Sequence, residues 1–292
     1  MARGYAEEGR GGSGIARVLA PNPSPMTESG TNSYVLRADG AAVVIDPGPV
    51  DEGHLAALRA AIGGDRLLAV IVTHPHLDHS PLARRLAGSA APVVGFGRFD
   101  AGRSALMRGL ADLGGGEGVD HAFAPDVAVG DGVAATLGGD PVEAVHAPGH
   151  MAPHLALRWR GTAFTGDAVM GWASTMISPP DGDLGQFMAT LDRLEAWGAI
   201  RALPGHGAPV PDLAARCRDL RDHRMSREAA ILAALPRAPR IPDLVAAIYS
   251  DVPPALHPAA ARNVLAHLLH LWERGRVLAD PAPGPEAQWT IP

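Results

Sequence analysis

One segment limits the folds open to this chain more than any other. "LLAVIVTHPHLDHS" (67–80) is a six-residue apolar run that breaks directly into His74, His76, Asp78 and His79. The run suits a buried strand and is far too short for a membrane span. Three imidazoles and a carboxylate crowded behind it cannot simply be buried, because each needs a partner wherever water is excluded. A fold that ends a core strand on such a loop must bring the remaining partners from elsewhere in the chain.

Three later segments share one pattern: a predicted strand, a tight glycine turn, then a metal-ligand type of residue. They are "HAPGH" with His150, "FTGDA" with Asp167 and "LPGHG" with His206. Glycine beside each lets the backbone bend sharply while the side chain turns toward a common point. Seven nitrogen and oxygen donors suit two metal ions better than one, since zinc takes about four ligands and paired ions can share a nucleophile. Zinc is the first expectation, two ions per chain, and the same donors also suit iron or manganese. Asp46 in "VIDPG" is placed to brace a ligand from behind or simply to make a turn. His146 and His154 flank a candidate ligand and read as structural or pocket-lining; Trp172 and "SPPDGD" (178–183) are candidates for the substrate entrance.

In this order, "HPHLDH", "PGH", "TGD" and "PGHG" resemble the metallo-β-lactamase superfamily, over about residues 17–210. The resemblance implies an αββα sandwich of two mixed sheets with metals at one edge. It also implies that His74, His76 and His150 hold one metal and that Asp78, His79 and His206 hold the other, with Asp167 bridging. "GTNSYVL", "VIDPGP", "VMGWAS", "ISPPDGD" and "HRMSREAAILAAL" are similar to the lactamase-β-like protein 2 group, which adds a C-terminal winged-helix-like domain and includes an endoribonuclease acting on single-stranded RNA.

The pattern along the 292 residues agrees with this independently. Residues 1–14 read as a flexible lead-in and 15–210 as the catalytic α/β domain. Residues 211–236 form an arginine-rich connecting helix, and 237–292 form two helices and a small β-ribbon. "ADG" (38–40) and "RG" (160–161) are hairpin signals, so a purely parallel sheet is excluded. "GGGEG" (114–118) follows no strand and reads as a loop, not a phosphate cradle.

The expected chemistry is hydrolysis by water activated on the metals, with Asp78 as the catalytic residue that orients that water or takes its proton. The first substrate class is a small ester, thioester or lactone; the alternative is single-stranded RNA. A net charge of −6 argues weakly against a dedicated nucleic-acid binder. Any RNA grip would have to come from Arg216, Arg218, Arg221, Arg224 and Arg227, yet Asp219, Asp222 and Glu228 are interleaved with them and predict salt bridges within the helix. The apolar stripe Leu265, Leu268, Leu269 and Trp272 predicts a docked rather than a base-reading helix. One cysteine, Cys217, and no apolar leader indicate a reducing, cytoplasmic setting with no membrane partner.

Overall fold

Alternate residues of the central strands enter different cores, as a period of two requires. Tyr34, Leu36, Val43, Ile45, Ala69 and Ile71 face one apolar layer, while Val35, Ala42, Val44, Val70 and Val72 face another. A sheet buried on both faces follows. The computed structural model describes residues 6–8, 14–113, 118–250 and 252–292.

The first sheet runs in chain order: β1 (Ala6–Glu8), β2 (Gly14–Leu19), β3 (Asn32–Ala38), β4 (Ala41–Ile45), β5 (Arg66–Ile71), β6 (Val93–Gly95) and β7 (Val127–Ala128). Its first four strands are antiparallel and the rest parallel. The second sheet is β8 (Gly132–Leu137), β9 (Asp140–His146), β10 (Leu155–Trp159), β11 (Thr162–Gly166) and β12 (Arg201–Pro204). It is antiparallel except for the β11–β12 pair. Both sheets are mixed, as the resemblance implies. The turns behave as their residues demand: Asp39 and Gly40 between β3 and β4, and Arg160 and Gly161 between β10 and β11, all have positive φ, the geometry that matches strand twist in a two-residue hairpin.

Leu36, Ile45, Ile71, Leu155, Leu157 and Phe164 fill the space between the sheets. Helices α1 (Glu52–Ile62) and α2 (Ala83–Ala87) cover the outer face of the first sheet through Leu55, Leu58 and Leu86. Beyond the short α3 (Ala105–Gly109), α4 (Leu184–Glu195) and α5 (Leu213–Ala234) cover the second sheet through Phe187, Leu191, Leu213 and Leu220. Asp183 and Asp212 cap α4 and α5, accepting from Gln186 N and Ala215 N at 3.1 and 2.9 Å.

The C-terminal module is α6 (Ile241–Ile248), α7 (His257–Glu273) and the ribbon β13 (Leu278–Asp280)–β14 (Gln288–Thr290). Leu244, Leu265, Leu268, Leu269 and Trp289 form its core together with Ile231 and Leu235 at the end of α5 and Met107 of α3. Ala266 of α7 enters the α4–α5 core instead, so the module is packed onto the main domain along one helix. Trp272, the last member of the predicted stripe, is 37% exposed.

Two local readings change. Within the 1–14 lead-in, Ala6–Glu8 adds a strand to β2, which satisfies an edge that would otherwise expose unpaired backbone groups; residues 1–5 and 9–13 lie outside the described residues, as do 114–117 of the glycine-rich loop. The arginines of α5 reach off their helix: Arg218 and Arg221 pair with Glu195, and Arg221 also with Asp192, both on α4.

Candidate metal centre

The seven donors are gathered at one edge of the sandwich, each on a loop leaving a strand end. His74, His76, Asp78 and His79 follow β5; His150 follows β9; Asp167 and His206 follow β11 and β12. Asp46 has φ +49°, an uncommon conformation for a residue with a side chain. From there its Oδ1 accepts from Thr73 N at 2.7 Å, and its Oδ2 accepts from Thr73 Oγ1 at 2.8 Å and pairs with His79 Nδ1 at 3.0 Å. The bracing role is the one realised. Gly205 is needed for a close approach: a Cβ there would overlap Asp167 Oδ1 and lie 2.8 Å from His79 Cε1.

Two triads close on two neighbouring points. His76 Nδ1 lies 2.9 Å from His74 Nε2 and 3.1 Å from His150 Nε2. Around the second point, His206 Nε2 lies 3.1 Å from Asp78 Oδ2 and 3.3 Å from His79 Nε2, with His79 to Asp78 at 3.4 Å. Asp167 stands between them, its Oδ2 3.3 Å from His206 Nε2 and 3.7 Å from His150 Nε2, its Oδ1 3.6 Å from His79 Nε2. The edge of a tetrahedron around zinc with nitrogen ligands is about 3.3 Å, so these donor separations fit a metal of that size. Asp167 Oδ1 is also fully buried without a hydrogen-bond partner, an arrangement that costs free energy unless something pairs with it.

The far nitrogens decide which face each ring presents. Nδ1 of His79 meets Asp46, that of His150 meets the Met176 carbonyl at 2.7 Å, and that of His206 meets the Gly30 carbonyl at 3.2 Å. Each such contact fixes Nδ1 as a donor and turns Nε2 inward toward the cluster. Electrostatics divides the cluster. Burial pulls His79 down, but Asp78, Asp167 and Asp46 outweigh it and hold the imidazole well above its ordinary range. Burial also opposes His206, yet Asp167 and Asp78 bring it up to about 10. Burial and then His150 push His76 down to about 3. Asp78 and Asp167 sit well below the usual carboxylate range: burial alone would raise them, and the neighbouring imidazoles prevail. Both carboxylates are therefore acceptors at neutral pH.

Several supporting residues stand behind the donors, His154 in the structural role that the sequence suggested for it. His154 is buried, stacks on His74 with 4.8 Å between centroids, and accepts from Asp167 N at 3.1 Å, so it positions a donor. Thr31 Oγ1 donates to Asp78 Oδ2 at 3.3 Å. Asn32 Nδ2 donates to the Pro204 and Gly207 carbonyls, both at 2.9 Å, holding the His206 loop. Threonine and asparagine at a strand start are ordinary residues until the facing loop is known. Trp172 lies against Gly207 and is 41% exposed; with Leu77, 51% exposed, it gives the donor edge an apolar rim.

A family model described as a β-lactamase-associated winged helix domain matches residues 241–289. The β-lactamase-like protein 2 homologue of Drosophila melanogaster is 30% identical over 278 residues, 91% of this chain and 90% of its own length. The chain belongs to the metallo-β-lactamase superfamily, in the β-lactamase-like protein 2 group. A metallo-β-lactamase family protein of Thermus thermophilus shares its fold with a TM-score of 0.76 at 24% identity, across 95% of this chain and 98% of that one. An atrochrysone carboxyl ACP thioesterase of Aspergillus chevalieri is 26% identical over 95% of this chain and 86% of its own. A further solved structure, in a di-iron-bound form, aligns with 28% identity over 67% of this chain and 95% of its own, with a TM-score of 0.50. Among the described residues, no helix of this superfamily member is long and apolar enough to cross a membrane.

Proposed function

We propose that the protein is a binuclear metal-dependent hydrolase of a thioester, ester or lactone, with His74, His76 and His150 holding one ion, Asp78, His79 and His206 the other, and Asp167 bridging. The observation that carries this is the pair of donor triads closing on adjacent points with Asp167 between them. Two bound ions, zinc in our reading, would supply a nucleophile from water at neutral pH and polarise the oxygen of the bond being cut. Iron suits the same donors, and a related structure holds two irons.

The chain's own residues supply the rest. Asp78 is the most exposed of the acidic donors, with 27% of its side chain open against 9% for Asp167. Contacted by Thr31 Oγ1 and placed between His79 and His206, it is positioned to fix the direction of the attacking water or to take its proton. The rim of Leu77 and Trp172 suits the apolar part of a small acyl substrate, and the thioesterase named above supports the thioester class.

The RNA reading has less support. Arg216 donates to the Met170 and Ala173 carbonyls, Arg218 and Arg221 are paired on α4, and Arg224 is buried. Arg227 donates to the Ile248 carbonyl and stacks over Tyr249. A phosphate track needs guanidiniums turned outward. The lone thiol Cys217, buried and pushed up to about 12 mainly by burial, fits a reducing cytoplasm. Metal analysis should find close to two ions per chain, and assays on thioester, lactone, phosphodiester and short RNA substrates should find turnover on the acyl compounds. Fewer than one ion per chain with no uptake on zinc addition, or turnover confined to RNA with steeply salt-dependent binding, would overturn the reading.

A further inference from the structure

Residues 175–177 join the donor cluster to the C-terminal module. Thr175 and Ile177 are fully buried. On the inner side, Thr175 Oγ1 donates to the carbonyls of Asp167 and Ala168, both at 3.0 Å, and the Met176 carbonyl accepts from His150 Nδ1 at 2.7 Å. On the outer side, Arg224 Nη2 donates to the Thr175 carbonyl. Asn263 Oδ1 accepts from Ile177 N and from Arg224 Nη1, both at 3.3 Å, and its Nδ2 lies 3.3 Å from the Met176 sulfur. Arg224 is 3% exposed, with its guanidinium 5.5 Å from the Phe187 ring centroid.

We propose that Asn263 of α7 and Arg224 of α5 are positioning residues for His150 and Asp167, acting through this strap. The inference rests on the metal reading above. The Met176 carbonyl, which aims the His150 ring, is flanked by two residues whose backbone groups are tied to α5 and to α7 of the module. Arg224 donates to the strap and to Asn263 through Nη2 and Nη1, its buried Nε having no partner among the described residues, and its planar fork fixes direction as well as distance. The Thr175 hydroxyl extends the same grip to the backbone of Asp167. The winged-helix module thus has a task at the metal edge without contributing a donor to it.

The test is Zn2+ affinity of the full-length chain, measured by competition with a chromophoric chelator, with the Co2+ absorption spectrum as a second readout. Asn263→Leu keeps the volume and removes both polar ends. It should weaken one of the two metal equivalents by about 10- to 100-fold, the usual effect of losing a group that orients a ligand, and change the Co2+ spectrum. Asn263→Asp keeps the acceptor for Ile177 N and Arg224 and should restore both. Val264→Ala, a buried truncation one position along α7, should lower the melting temperature and leave metal uptake unchanged. If Asn263→Leu does not fold, Asn263→Ser, whose shorter side chain cannot span the same contacts, takes its place. Wild-type affinity and spectrum in the folded variant, or equal losses in Val264→Ala, overturn the inference alone. Wild-type protein that takes up no metal overturns the metal reading and this inference with it.

Discussion

Two buried polar clusters lie on opposite sides of the 175–177 strap, and they deal with burial in opposite ways. At the donor edge, His79 and His206 are drawn up and Asp78 and Asp167 drawn down by one another, so the groups compensate burial in pairs. In the seam between α4, α5 and α7, burial pushes Arg224 down to about 10 and holds His267 well below its ordinary range. Neither ring nitrogen of His267 has a hydrogen-bond partner among the described residues. The seam also holds a crevice of about 460 Å³ lined by Arg224, His267 and Met188. The crevice lies on one side of the strap and the converging donors on the other.

The sharpest way to break this contrast is Asp78→Ala. It should cut turnover by about 10²- to 10⁴-fold, the range for loss of a positioned proton acceptor, with the melting curve preserved. Leu77→Ala at the neighbouring position should act far less on the chemistry. Equal turnover in wild type and Asp78→Ala would remove Asp78 from the mechanism. Next comes Asp46→Asn, which weakens the brace on His79 Nδ1 and Thr73. Metal affinity should fall by about 10- to 100-fold, and an unchanged affinity in chelator competition would show that the paired cluster holds itself without Asp46.

The smallest effect belongs to His267→Leu on the seam side. Two unpartnered buried nitrogens are exchanged for an apolar side chain, so at pH 8 the unfolding free energy from urea titration should hold or rise, by no more than about 1 kcal/mol. The folded chain keeps this ring neutral, while the unfolded chain takes a proton below its ordinary value of 6.5. Stability from His267 is therefore present above that pH and lost as pH falls through it. The variant should gain on wild type progressively from about pH 7 to pH 5; a difference that stays flat, or a loss at pH 8, would mean that the His267 nitrogens do have a partner.

The donors themselves were legible because their grammar is local. His74 to His79 follow an apolar strand, and Gly149, Gly166 and Gly205 precede His150, Asp167 and His206 directly. The hairpins at Asp39–Gly40 and Arg160–Gly161 were readable for the same reason: each depends on φ within two residues. The α5 arginines misled, because helical spacing predicted partners along the helix while the nearest acceptors, Asp192 and Glu195, arrive on another one. By itself the sequence determined which side chains could bind metal, in what order they occur, and which faces of strands and helices must be buried. Only the tertiary structure decided that His150 meets His76 across 74 positions and His206 meets His79 across 127, and that Asn263 and Arg224 reach the strap behind them. Local rules act over a turn of chain, whereas these meetings depend on how two sheets and a packed module bring distant loops to one edge.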